Sequence, residues 1–241
     1  MPGRRDRAEG GLIPTPSEFA AGPARVPVPV WDLPTRVVHW LLVAAVALAW
    51  ATAEAPGIFF AIHKLAGYSI GAALIFRVVW GFIGSPRSRF ADFVAPWSTV
   101  VEHARSLLRL RPPHSVGHNA IGGWMVLALL AVLTVIVGTG LFSASRRLAG
   151  PFADALPEPT ARLIAGLHET AFNVLLVLVT VHVLGVLLDM LLNRENLIGA
   201  MMTGHKLLDP EAARAERTLA PLGYAVVIAV IAIALTAWVA L

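Results

Sequence analysis

The chain contains no cysteine. Disulfides, cysteine-ligated iron–sulfur clusters, thiolate zinc sites and haem attached through a C-x-x-C-H motif are all excluded by that absence. Any redox cofactor is then held non-covalently, by nitrogen or oxygen ligands. Charge is also scarce. Asp, Glu, Lys and Arg make up 14% of the 241 residues, against about a quarter of an ordinary soluble domain. Hydrophobic residues make up 57%, and the mean hydropathy is +0.72. An apolar signal-peptide core is missing from the N-terminal segment, which is rich in Pro, Gly and charge. Residues 1–30 therefore read as a disordered, basic cytoplasmic tail. A pI near 10.3 is compatible with nucleic-acid binding. However, the basic residues flank apolar spans and no nucleic-acid motif is present, so the expected surroundings are membrane lipid and not nucleic acid.

Apolar runs of about twenty residues, the length needed to cross a bilayer, recur at about 36–54, 59–83, 120–143, 163–190 and 221–241. The expected fold is an all-α membrane protein with four helices in a core at 31–207. A linker and a fifth C-terminal transmembrane helix follow at 208–241. Lys and Arg set the orientation. Fourteen fall in the N-terminal segment, the loop between spans two and three, and the connection from span four to span five, against four on the other side. This bias predicts a cytoplasmic N-terminus and an outer, periplasmic C-terminus in a bacterial inner membrane. Trp40, Trp50, Trp80 and Trp124 fall near span ends, where interfacial aromatics gather. Within the 84–118 loop, "FVAPWSTVVEHARSLLRL" has helical periodicity and predicts an amphipathic helix, either on the membrane surface or in a soluble linker.

Four histidines lie within the spans. His39 is one turn into span one on the cytoplasmic side, and His63 is one turn into span two on the outer side. Span four carries His168 and His182, fourteen residues and so roughly 21 Å apart on nearly one helical face. Depths match in two pairs, His39 with His182 and His63 with His168. Each pair draws on two helices and can clamp a flat ligand from opposite faces. A six-coordinate iron porphyrin takes this arrangement, with one imidazole on each side of the ring. Gly67, Gly71, Gly138, Gly140, Gly166 and Gly185 offer room for such a disc, although small residues also serve close helix packing. A proton pathway through the same histidines is the other reading open at this point.

The segments "VWDLPTRVVHWLLV", "HKLAGYSIGAALIFRVVWGFIGSPRSRFADF", "GHNAIGGWMVLALL", "LHETAFNVLLVLVTVHVLGVLLD" and "ENLIGAMMTGHK" occur in that order over about residues 30–207. Together they resemble the bacterial di-haem cytochrome b561 family, which includes the cytochrome b subunits of nickel–iron hydrogenases. The resemblance implies a four-helix transmembrane di-haem bundle with two non-covalent, bis-histidine haem b groups. Their ligands would be His39 and His182 on the cytoplasmic side and His63 and His168 on the outer side, the pairs that depth matching gives. It also implies electron transfer between membrane quinone and a redox partner protein such as a hydrogenase or a cytochrome c. The chain would then be a quinone-oxidoreductase-type subunit and not a stand-alone enzyme. The fifth span and the long basic tail depart from the family pattern. A histidine-lined proton or ion transporter and a passive membrane anchor are the alternatives; the first predicts repeats and interrupted helices, which are not evident.

Four further residues are candidates for lesser roles. Arg77 lies within span two at the depth of His39 and His182. It either pairs with a haem propionate, as a bidentate guanidinium can, or snorkels to the interface. His118 and Asn119 open span three and suit a propionate contact, a quinone pocket or an interfacial cap. Glu169 follows an outer ligand, where it can handle quinone protons or simply face water. His103, His114 and His205 are expected on the solvent side, without a cofactor role.

Overall fold

The computed structural model describes residues 25–54, 56–145, 148–208 and 218–240. In chain order it forms strand β1 (Val26–Pro29), then helices α1 (Leu33–Thr52), α2 (Ile58–Ile83), α3 (Phe90–Phe93), α4 (Trp97–Leu108) and α5 (Ala120–Phe142). A single 3-10 turn at Ala153–Ala155 precedes α6 (Glu158–Asn193), α7 (Leu197–Thr203), strand β2 (His205–Leu208) and helix α8 (Leu222–Ala240). Helices α1, α2, α5, α6 and α8 are long and apolar enough to cross a membrane, and each overlaps an expected span. At about 1.5 Å per residue the 36-residue α6 is roughly 54 Å long and outruns the ~30 Å hydrocarbon layer.

The helix starts follow from local chemistry. The Asp32 carboxylate accepts the Thr35 N–H at 2.9 Å, and Pro34 occupies the first turn of α1, where no donor is needed. Asn119 caps α5 through the Gly122 N–H at 2.7 Å. Helices α1, α2, α5 and α6 enclose one apolar cluster that includes Ala45, Ile70, Leu74, Leu133, Ile136 and Leu175. On the other face of α2, Ala73, Phe76 and Trp80 meet Ala225, Ile228 and Ala232 of α8, with Val38 of α1. Small residues at that contact let the two backbones approach, which is how helices associate where lipid is as apolar as the side chains. Gly71 belongs to this packing, since a Cβ there would touch Thr236 at 3.4 Å and Val137 at 3.5 Å.

One end of the bundle, where α1 and α5 begin and α2 and α6 end, carries most of the Lys and Arg and is called the basic end below. Here the structure departs from expectation. Residues 26–29, expected to belong to a disordered tail that runs through residue 30, form an antiparallel pair instead, Val26↔Leu208 to Pro29↔His205. Residues 1–24 of that tail, and 209–217 of the expected linker, lie outside the described residues. Strand β1 reads VPVP. Ladder bonding alternates along a strand, so both prolines can take the side that needs no donor. The Gly204 carbonyl then accepts from Val30 N–H (2.8 Å) and Trp31 N–H (3.1 Å). Its φ of +88° and the 2.8 Å from a Cβ to the Trp31 carbonyl make glycine the residue that fits there.

Two side chains expected near water are buried. Trp80 is fully enclosed and donates its indole N–H to Asp32 at 2.9 Å, so it is a core residue and not an interfacial one. His103, on the amphipathic α4, is only 6% exposed, because its face of that helix turns inward. His114 and His205 are exposed as expected.

Candidate functional site

At the end opposite the basic one, His63 of α2 and His168 of α6 face each other with ring centroids 6.3 Å apart and planes at 75°. Each ring is held from behind by a third and a fourth helix. The His63 Nδ1–H donates to the Ala49 carbonyl of α1 at 2.8 Å. The His168 Nδ1–H donates to the Ile136 carbonyl of α5 at 2.9 Å, with Thr139 Oγ1 at 3.2 Å. A carbonyl only accepts, so both rings carry a proton on Nδ1, and Nε2 is the nitrogen not engaged by the bundle. This is how metal-binding imidazoles are usually oriented, the second nitrogen being tied to backbone.

The two rings border a cavity of about 860 Å³, within the range of small-molecule and cofactor sites. Its glycines are spaced for a close neighbour. Gly67, one turn beyond His63, and Gly166 each have open space where a Cβ would be. At Gly140 a Cβ would lie 3.1 Å from His168 Cε1, so a larger residue would press on that ring. Glu54, Lys64 and Glu169 line the cavity and are exposed.

The basic end gathers the other set. His39 of α1, His182 of α6, Arg77 of α2 and His118 are close enough to interact electrostatically. Arg77 is buried at 6% exposure and does not snorkel; its guanidinium lies over Phe90 (5.3 Å) and Phe93 (5.7 Å). His118 packs on the same Phe93 (4.6 Å) and on Trp31 (4.7 Å). Burial, reinforced by the Arg77 charge, pushes the His118 imidazole well below its usual range, so it stands neutral. Among the described residues, the buried side-chain polar atoms without a hydrogen-bond partner are Arg36 Nε, His39 Nδ1, Arg77 Nη1 and His118 Nδ1. All four belong to this end. A buried polar group left unmatched costs roughly 1–3 kcal/mol, so their convergence suits a ligand that brings acceptor atoms of its own. Asn119 proves to be the α5 cap, and its amide also donates to Asp189 at 3.1 Å.

Sequence reasoning missed the frame around this site. Asp32 is 4% exposed, and besides capping α1 it accepts from Trp80 and, at 3.3 Å, from Ser88 Oγ. The buried Lys206 bridges Glu195 (2.8 Å) and the Ser115 carbonyl (2.9 Å), and His114 reaches the other Glu195 oxygen at 3.1 Å. The aspartate in "WDLP", set before Leu-Pro at a helix start, was a readable cap signal; its links to Trp80 and Ser88 had none.

A family model described as prokaryotic cytochrome b561 matches residues 30–204. The probable Ni/Fe-hydrogenase 1 B-type cytochrome subunit of Escherichia coli (strain K12) is 30% identical over 141 residues, which are 47% of this chain and 60% of that protein. The chain thus spans less than two thirds of that relative's length. The probable Ni/Fe-hydrogenase B-type cytochrome subunit of Rhizobium leguminosarum bv. viciae is 25% identical over 221 residues, 76% of this chain and 90% of the relative. That of Bradyrhizobium diazoefficiens is 23% identical over 217 residues, 76% and 87% respectively. No solved structure matches the chain. A b-type cytochrome implies haem b, and the multi-pass helical bundle is the setting for it. With its motifs in order and its model match covering most of the chain, this protein belongs to the prokaryotic cytochrome b561 family.

Proposed function

We propose that the chain is a di-haem b-type cytochrome of the bacterial inner membrane that carries electrons across the bilayer between quinone and a redox partner protein. The observation that carries this reading is the His63–His168 pair. Two imidazoles bound to one metal through nitrogens about 2 Å away on either side have ring centres roughly 6 Å apart, and these centres are 6.3 Å apart. Both rings donate Nδ1–H to backbone carbonyls, so Nε2 is the nitrogen left for such a metal. Haem b supplies reversible one-electron chemistry when bound.

The residues of this chain then divide the work. His63 and His168 hold the outer haem iron, and His39 and His182 the cytoplasmic-side one. Arg77 and His118 contact propionates at the cytoplasmic side, which accounts for their unmatched nitrogens. The basic end faces the cytoplasm, following the Lys and Arg bias. The relatives are named as nickel–iron hydrogenase cytochrome subunits, and a hydrogenase is accordingly the first partner to test. The histidine-relay reading has less support, because two rings with both Nδ1 protons donated to carbonyls of their own bundle are poorly placed to pass protons along a path.

The test is haem stoichiometry combined with single ligand replacements. A pyridine haemochrome assay should find two b haems per chain. His39→Ala and His182→Ala should each disturb the same spectral component, and His63→Ala and His168→Ala the other. Two haems with His39→Ala and His63→Ala acting on one component would refute the pairing; a fully loaded protein with one haem or none would refute the di-haem reading.

A further inference from the structure

The two histidine sites are charged differently. Around the His63–His168 cavity, the charged side chains among the described residues are Glu54, Lys64 and Glu169, all exposed. Water screens such charges, so they act weakly on anything inside. At the other site Arg77 is buried, with Nη1 unmatched and its plane against Phe90 and Phe93. A charge held among aromatic rings acts through a low effective dielectric and is felt strongly at short range. An opposite charge that acts on it, Asp32, accepts hydrogen bonds from the Thr35 N–H, the Trp80 indole and the Ser88 hydroxyl. Several other charged groups at this end have hydrogen-bond partners of their own. Lys206 pairs with Glu195, Asp189 accepts from the Asn119 and Asn193 amides, and Arg36 donates to the Met202 carbonyl at 2.6 Å. Arg36 is half-buried and keeps an open Nε beside that bond, whereas Arg77 is a buried cation with an open Nη1.

Adding an electron to a ferric haem lowers its positive charge by one, so a nearby cation favours the reduced form and an unneutralised carboxylate opposes it. We infer that Arg77 makes the two haem sites electrically unequal: its guanidinium binds the propionates of the cytoplasmic-side haem, and its charge sets that haem's reduction potential above that of the outer haem. The inference rests on the di-haem reading and adds which site is the stronger electron acceptor and which side chain makes it so. Arg suits the role because its fork can take a carboxylate through two parallel N–H donors and stays charged when buried. With the potentials in this order, an electron entering at the outer haem runs downhill to the cytoplasmic-side haem.

The experiment is a spectroscopic redox titration of the purified holoprotein, of Arg77→Gln and of Arg77→Lys, with haem counted in each. Single variants His182→Ala and His168→Ala assign the two components. Wild type should show two resolved components, the higher one being lost with His182→Ala. Arg77→Gln should move that component downward, towards the other, and leave the lower one in place. Arg77→Lys should keep most of the separation, because the charge remains although the fork is lost. Equal potentials in wild type, a shift confined to the component lost with His168→Ala, or no shift in Arg77→Gln would each overturn the inference while leaving the di-haem reading intact. If Arg77→Gln sheds the cytoplasmic-side haem, the lysine variant decides. A retained haem at its wild-type position supports the inference, and a retained haem shifted down, or loss of that haem here too, overturns the claim that the charge sets the potential. Finding fewer than two haems in wild type would instead sink the underlying reading.

Discussion

Replacing Gly140 by alanine tests whether the fold positions His168 for a ligand. The new Cβ would lie 3.1 Å from His168 Cε1 and 3.4 Å from Nδ1, so the ring must give by a few tenths of an ångström. That shift acts on the ring whose Nδ1–H is bonded to the Ile136 carbonyl at 2.9 Å. Loss of outer-shell orientation typically weakens a metal site 10- to 100-fold, or about 1.4–2.7 kcal/mol. Alanine is also favoured over glycine in a helix interior by about 1 kcal/mol. The two effects have opposite signs and fall on different observables. The haem-free bundle should be as stable as wild type or slightly more so, while the outer haem should be lost to an excess of a haem-scavenging apoprotein about tenfold faster or more. Gly138 supplies the control, since a Cβ there meets nothing within 4 Å. Gly138→Ala should raise helix stability and leave haem retention unchanged. If Gly140→Ala held its haem as firmly as Gly138→Ala, the contact with His168 would not be what positions the ring.

Two other outcomes follow from the basic end. Alkaline phosphatase fused after Leu241 should be active, because five spans from a cytoplasmic N-terminus end outside; activity no higher than that of a cytoplasmic control fusion would refute the orientation. Burial alone would raise the Glu195 pKa, but hydrogen bonds from Lys206 and His114 outweigh it and hold the carboxyl below its ordinary range. A carboxyl depressed in the folded state adds stability that is present above its unfolded value, about 4.5, and lost as pH falls through the folded value. Lys206→Met should therefore cost about 1–3 kcal/mol at neutral pH and reduce the loss of thermal stability below about pH 4.5. An unchanged acid limb in melting curves of the variant would show that this tie does not hold the end together.

Hydropathy and periodicity sufficed for the five spans, because crossing a bilayer is a local demand that every twenty-residue segment meets by itself. The same local geometry put His63 and His168 at one depth, and His39, His182 and Arg77 at another, since rise per residue converts sequence number into height. Height is all that it converts. Which carbonyl stands behind each imidazole, Ala49 for His63 and Ile136 for His168, depends on how α1 and α5 rotate and pack, and no segment carries that information alone. Whether Arg77 reached the interface or stayed inside was undecided in the sequence; the Phe90 and Phe93 rings, delivered by a turn beyond the end of α2, decided it. His103 looked like a solvent-side residue until the packed face of α4 enclosed it. Strand β1 was hidden because VPVP has too few donors to read as a strand, and its partner lies about 180 residues further along the chain. Trp80 shows the limit most plainly. Its place near a span end marks an interfacial residue, and only the arrival of α8 on one side and Asp32 on the other makes it the most enclosed large side chain in the bundle.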